Sequence, residues 1–410
     1  MDSTQDYGML RVATAIPTVK VADCTANTEQ HLLLIQQAEE QGVQLLVFPE
    51  LSLTGYTCAD LFQQPLLVEG AWAALRRVAD ATRGLNLCAI VGLPLAYGNR
   101  LYNVAAAMRD GRVLAFVPKV YIPNYSEFYE ARWFASGAEL PAEAAVPVPG
   151  QEEAVPLTTR QLLRLGRATI GVEICEDLWV PVAPSTEAAL QGAEVLVNLS
   201  ASDEVLGKHA YLRQMIASHS GRLAAAYVYA SAGFGESSTD LVFAGKGIIA
   251  ENGVIMGESE RFRMEPTLLT CDVDIEKLQT LRRRQTTFTA AQPAAAPYRL
   301  IPCGETRTPD YEQQLYRYVH PTPFVPSGEA DRELRCNEIF NIQVAGLVTR
   351  LSHIQARTAV IGISGGLDST LACWSRSRPS TNWAGAATAS WASPCRASAP
   401  RAAPTTIASA

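Results

Sequence analysis

Between residues 10 and 275, short runs rich in Val, Ile and Leu recur, each separated from the next by a segment of helical or turn character. This alternation confines the chain to layered α/β architectures. LRVATAIPTV reads as a strand, NTEQHLLLIQQAEEQG as a helix closed by a C-cap glycine, and QLLVFPE as a buried strand. The rhythm returns in LNLCAIVGLPL, RATIGVEIC, AEVLVNLS and AAYVYASAGFG, with the helical stretch HAYLRQMIASHSGRLAA between the last two. D-G in NVAAAMRDGRVLAFVPK and N-G in VFAGKGIIAENGVIMGES mark hairpins, and TLLTCDVDI adds a further antiparallel strand. Mixed sheets with helices packed outside are expected over residues 1–275.

From residue 276 the chain turns rich in Ala, Pro and Thr with little apolar periodicity, and 276–327 reads as a linker or arm lying over another surface. Order is expected again from 328 to 372. There Phe340, Val344, Leu347, Leu351 and Ile354 recur at steps of four, three, four and three, one face of a helix, ahead of the strand TAVIGIS and the loop SGGLDS. With 48% apolar and 18% charged residues the chain is globular, and a net charge of -7 argues against nucleic-acid and membrane partners. No apolar run is long enough to span a bilayer, and Asp2 and Asp6 stand where a signal peptide is basic, so a cytoplasmic location is expected. The nine cysteines form no C-x-x-C pair and have no His at ligand spacing, which excludes a zinc site and a disulfide framework; no metal ligands are expected.

Three stretches end strands and carry chemistry: LLVFPELSLTGY with Glu50, LAFVPKVYIPNYSEFYEARWF with Lys119, and IGVEICEDLW with Cys175. Strand ends of α/β sheets converge on clefts. A thiol with a carboxylate to take its proton, and an ammonium to hold an oxyanion, meets the needs of amide hydrolysis through a thioester. Taken singly, Glu50 reads as a turn carboxylate, Lys119 as a solvated lysine and Cys175 as a core residue. The surrounding words shift that weighing.

FPELSLTGY, PKVYIPNYSEFYEARWF and GVEICEDLW together resemble the nitrilase (carbon–nitrogen hydrolase) superfamily, and in particular the glutaminase domain of glutamine-dependent NAD synthetases. The resemblance implies an α-β-β-α sandwich over 1–275, with Glu50 as general base, Lys119 as oxyanion stabiliser, Cys175 as nucleophile and Glu130 orienting the lysine. It further implies Tyr125 and Ser202 as contacts for the amino-acid end of glutamine, with Tyr56 as a weaker candidate. Lys208 stands where some relatives carry arginine, keeping the charge for an α-carboxylate but losing bidentate geometry. Glu176 and Asp177, beside the nucleophile, read as backbone-capping or structural. The glutaminase step needs no cofactor. A small-amide amidase with the same trio and a non-catalytic remnant are the competing readings.

The word SGGLDS resembles the pyrophosphate loop of the adenylating amidotransferases, so Gly362, Ile363, Ser364, Gly365, Gly366, Leu367, Asp368 and Ser369 are expected to open an incomplete Rossmann-like ATP-pyrophosphatase α/β domain. Glycine amides and a following helix N-terminus suit phosphate. In the family this domain uses ATP and Mg²⁺ to amidate deamido-NAD with ammonia from the first site, and its members form homo-oligomers. The residues after Ala372 contain no Asp, Glu, Leu, Val or Phe, and 373–410 reads as a disordered tail unable to supply metal ligands or a core. A back-translation of ASWASPCRASA (389–399), regrouped from its third base, spells IMGITMPGFG, a phrase resembling the family's downstream sequence. The tail is therefore expected to be out of frame and the synthetase step lost; sequencing the coding DNA across codons 365–400 tests this.

Overall fold

The computed structural model describes residues 6–291, 296–325, 328–356, 361–362 and 364–377. Most of the expected strand TAVIGIS, Ile363 in the expected ATP loop, and the tail after Ser377 lie outside the described residues. The chain divides into two units, Met1–Tyr318 and Val319–Ala410.

The first unit opens with strand β1 (Met9–Ile16), helix α1 (Cys24–Glu40), strand β2 (Leu45–Val47) and helix α2 (Pro65–Ala81). Asp23 caps α1 by accepting from the Ala26 amide, and Gly42, at φ +68, follows its end. A meander follows: β3 (Cys88–Tyr97), β4 (Arg100–Arg109) and β5 (Arg112–Pro118). Asp110 and Gly111 both have positive φ, as a type I′ hairpin demands, so the D-G signal marks the turn between β4 and β5. The short ribbon β6 (Ala145–Val146) and β7 (Val155–Pro156) leads to β8 (Gln161–Leu165), β9 (Ala168–Ile174), α3 (Pro184–Leu190), β10 (Val195–Ser200), α4 (Lys208–Arg222) and β11 (Ala226–Ser231). Then come β12 (Gly247–Glu251) and β13 (Val254–Glu258), joined at Asn252–Gly253, and β14 (Thr267–Asp274).

One sheet has the order β14-β1-β2-β3-β4-β5. The other runs β13-β12-β11-β10-β9-β8 and then continues with a strand from the arm. Strand alternation sorts the side chains. Leu10, Val12, Val47 and Ile90 of the first sheet meet Ile170, Val197, Val228 and Ile249 of the second in a shared core. The opposite face of the first sheet packs under α1 and α2, and that of the second under α3 and α4. The result is the expected α-β-β-α sandwich.

The arm is less of a linker than its composition indicates. Asp274 caps helix α5 (Ile275–Arg284), which buries Ile275, Leu278 and Arg282, and a short α6 (Thr286–Ala290) follows. Strand β15 (Arg299–Pro302) then pairs in parallel with β8. The unit therefore continues beyond 275 to Tyr318. Buried Arg282 caps the carbonyls of Ala193, Leu223 and Ala224, a role that hides its helix from a search for apolar periodicity.

In the second unit, α7 (Glu329–His353) packs on α8 (Leu367–Ser377). Phe340, Val344, Leu347 and Leu351 lie on its less exposed side, as the spacing predicts, whereas Ile354 is exposed.

Candidate active site

β2, β5 and β9 end on the same side of the sandwich, and the three chemistry-bearing residues follow their last residues. Glu50 and Lys119 are fully buried and Cys175 is 6% exposed. Two close approaches hold the loops. A Cβ on Gly92 of β3 would sit 2.2 Å from the Leu51 nitrogen, so only glycine lets the Glu50 turn cross that strand. Gly137 donates its N–H to the Lys119 carbonyl at 2.7 Å, and a Cβ there would strike Pro118 at 2.7 Å.

The Lys119 ammonium lies between two carboxylates, 2.6 Å from Glu50 Oε1 and 2.8 and 2.9 Å from the two oxygens of Glu130. Burial works against its charge, yet Glu130 and Glu50 hold it well above the ordinary lysine range. For Glu130, burial raises the carboxyl while Lys119 pulls it back. The Asn103 side-chain amide donates to Glu50 Oε1 at 2.6 Å. Glu50 Oε2 is buried with no hydrogen-bond partner among the described residues, which leaves it free to act as a base.

Cys175 opens a 3₁₀ turn, Cys175–Leu178, with φ +47. That left-handed conformation costs a non-glycine residue about 1–2 kcal/mol. Asn198 of β10 offsets it by accepting the Cys175 N–H at 3.1 Å and donating to the Cys175 carbonyl at 3.4 Å. The sulfur accepts a hydrogen bond from the Ser200 hydroxyl at 3.2 Å, so the thiol's hydrogen bond is with Ser200 and not with Glu50. Burial first, then the Glu50 charge, push the thiol well above its ordinary range against the pull of Lys119.

Asp177 accepts main-chain N–H groups from Ile174 at 3.0 Å, Val120 at 3.2 Å and Tyr121 at 2.8 Å. It thereby ties the nucleophile turn to the lysine loop, as a backbone-capping residue does. Burial, then the Glu173 charge, raise its carboxyl to about 8. Glu176 differs from the capping role expected of it. Its carboxylate faces the cleft and accepts from Tyr125 Oη at 2.7 Å.

The cleft encloses about 430 Å³. Tyr125, Ser202 and Lys208 line it together with Cys175. Lys208 begins α4, pairs with Asp203, and lies 5.4 Å from the Trp179 ring centroid and 5.7 Å from that of Phe128. Its charge is thus already shared. Tyr56 is placed otherwise than expected: its hydroxyl donates to Glu130 at 2.8 Å behind the lysine, so it orients that glutamate and does not line the cleft. Asn103, Asn198 and Ser200 went unmarked in the sequence. The available signal was a polar residue at a strand position otherwise filled by apolar ones, in RLYNVAAAMR and VLVNLS.

In the second unit, Gly365 has φ +86, and the Ser369 and Thr370 hydroxyls both bond back to the Gly366 carbonyl at 3.0 Å in the first turn of α8. Among the described residues no group of three or more His, Cys, Asp or Glu side chains converges as a metal site. No described helix is long and apolar enough to cross a membrane.

The carbon-nitrogen hydrolase family model matches residues 11–283. The chain is 40% identical to the glutamine-dependent NAD(+) synthetase of Mycobacterium leprae (strain TN) over 379 residues, 90% of this chain and 55% of that protein. It spans about half the length of the curated relatives it matches. Among solved structures, a glutamine-dependent NAD(+) synthetase from Cytophaga hutchinsonii aligns with TM-score 0.58 and 26% identity, covering 65% of this chain and 43% of that one. A nitrilase-superfamily amidase from Nesterenkonia AN1 shares the fold, with TM-score 0.53 and 22% identity over 69% of this chain and 98% of that one. The match over residues 11–283, on a sandwich whose strand ends gather Glu50, Lys119 and Cys175, makes this chain a member of the carbon-nitrogen hydrolase family, in the branch of the glutamine-dependent NAD(+) synthetases.

Proposed function

We propose that the first unit hydrolyses the side-chain carboxamide of glutamine to glutamate and ammonia. The observation that carries this reading is the buried Glu50–Lys119–Glu130 network set behind a cysteine that lines a cleft. Cys175 attacks the carboxamide carbon as Glu50 takes the thiol proton. The oxyanion of the tetrahedral intermediate forms beside the Lys119 ammonium, whose charge is fixed before substrate arrives. Glu50 passes the proton to the departing nitrogen, the C–N bond breaks, and ammonia leaves a thioester on Cys175. Water attacks the thioester, Glu50 takes its proton, and the thiol is restored as glutamate departs. Glu176, Tyr125 and Lys208 supply polar groups of both signs for the amino-acid end.

In the synthetase relatives such ammonia would serve an ATP-dependent amidation of deamido-NAD; for this chain the proposal is that this second step is lost, with the Ser364–Ser369 loop retained as the phosphate contact. Glycine backbone at the start of α8 supports that assignment. Oligomeric assembly and a cytoplasmic location belong to the same proposal. The test is steady-state ammonia release from glutamine against a panel of small amides. Glutamine is expected to be preferred, with turnover abolished in Cys175→Ala. Equal turnover of amides lacking the α-amino and carboxylate groups would favour the small-amide reading.

A further inference from the structure

Ser200 touches the machinery twice. Its carbonyl accepts the Glu50 N–H at 3.3 Å, and its hydroxyl donates to the Cys175 sulfur at 3.2 Å. Behind it, the hydroxyl of fully buried Tyr229 donates to Ser200 Oγ at 2.8 Å. The direction of this chain matters. Tyr229 occupies the acceptor side of the Ser200 hydroxyl, so the serine proton is left to point at sulfur. β10 makes the placement possible: Asn198 and Ser200, two residues apart, share one face, the first holding the Cys175 main chain and the second its sulfur.

We propose that Ser200 is a further catalytic residue of this site, its hydroxyl bond stabilising the Cys175 thiolate as the proton leaves for Glu50, and that Tyr229 is a positioning residue that fixes the direction of that bond. The inference rests on the thioester chemistry above and adds a second partner for the developing charge, on the side of the sulfur opposite in role to the base. Glu50 removes the proton and Lys119 meets the oxyanion; neither is a hydrogen-bond donor to the sulfur here. A donated hydrogen bond strengthens when its acceptor becomes charged, so it favours the thiolate over the thiol. The other titratable groups acting on the sulfur are Glu50, Lys119 and Glu130, and the phenols of Tyr56, Tyr125 and Tyr229 feel its charge in turn. All remain in place in the Ser200 variants below, and Tyr229→Phe removes the Tyr229 phenol alone.

The test reads Cys175 alkylation by iodoacetamide as a function of pH, with Cys175→Ala supplying the background from the other thiols. In Ser200→Ala the rise of the rate with pH, which follows the thiolate fraction, is displaced by about one pH unit to higher pH, a roughly tenfold slower rate at a fixed pH, the size expected for losing a hydrogen bond to a charged acceptor. Tyr229→Phe moves it the same way by less, and Ser200→Thr, which keeps the hydroxyl, returns it toward the wild-type value. With glutamine, kcat falls in Ser200→Ala while KM holds. A Ser200→Ala protein with wild-type melting temperature and an unshifted alkylation profile overturns the proposal. If Ser200→Ala does not fold, Tyr229→Phe decides: it removes one oxygen, and an unshifted profile there overturns the relay. Alkylation needs no substrate recognition, so a Ser200-dependent profile without glutamine turnover refutes the glutamine reading alone, and glutamine turnover with an unshifted profile refutes this inference alone.

Discussion

A buried ammonium held between two buried carboxylates is an expensive arrangement, and its cost shows why Glu130 matters. Glu50 has to leave its ion pair in part when it accepts a proton, and at that moment Glu130 is the charge that keeps Lys119 cationic. Glu130→Gln preserves shape and the Tyr56 contact while removing that charge. It is expected to lower kcat at least tenfold with little change in KM, and to cost roughly 2–4 kcal/mol in urea unfolding. An unchanged kcat would show that Glu50 alone suffices for the lysine. Glu50, Lys119 and Cys175 were legible because each sits in a distinctive word at a strand end. Ser200, Asn198 and Asn103 were not, because a single polar residue on a strand gives no hint of its partner, and those partners lie 25, 23 and 53 positions away. Tyr56 was misplaced for a related reason: sequence order put it near the site without fixing the side of Glu130 it would occupy.

At the level of elements, α1 is the support for the Glu50 turn. Asn27 and His31, one helical turn apart, both reach that turn. The Asn27 amide donates to the Leu53 carbonyl at 3.2 Å, and His31 Nε2 meets Ser52 Oγ at 2.9 Å with its ring stacked on Phe48. His31 Nδ1 is 2.7 Å from the Asn27 carbonyl, which fixes the proton there and leaves Nε2 to accept from Ser52. Burial holds this imidazole down to about 4, from an ordinary 6.5. A depressed folded-state value stabilises the fold above pH 6.5 and loses that contribution as pH falls toward 4. His31 alone is expected to cost roughly 2 kcal/mol by about pH 5. Urea unfolding of the wild type and His31→Gln at about pH 7.5 and pH 5 isolates this from His219, which burial also lowers to about 4. The wild type should lose more stability on acidification than the variant; equal losses would exclude His31 as the source. The D-G and N-G hairpins and the glycine that closes α1 were readable because each depends on local backbone chemistry. β15 was not, since RLIP acquires strand geometry only from the β8 edge it joins.

The first unit as a whole is larger than its family match, which ends at residue 283. Residues 284–318 are locked to the sandwich by charge as well as by β15. Arg11 is buried, paired with Asp272 at 2.7 Å, bonded to the Gln314 carbonyl at 2.6 Å, and lies 5.2 and 4.8 Å from the ring centroids of Tyr311 and Tyr316. Arg317 meets the buried Glu251 carboxylate at 2.6 and 2.9 Å. Removing the arm would strip Arg11 and Glu251 of partners inside the fold and open the edge of β8, a combination that destabilises and invites edge pairing. A chain ending at Tyr318 is therefore expected to unfold in one transition, stay in solution and release ammonia from glutamine at the full-length rate. A chain ending at Arg283 is expected to melt at lower temperature and aggregate, although it keeps Glu50, Lys119 and Cys175. Thermal unfolding with light scattering on the two chains separates these outcomes. If the shorter chain matched the longer in melting temperature and solubility, the arm would be an appendage and the boundary would lie where the family match ends.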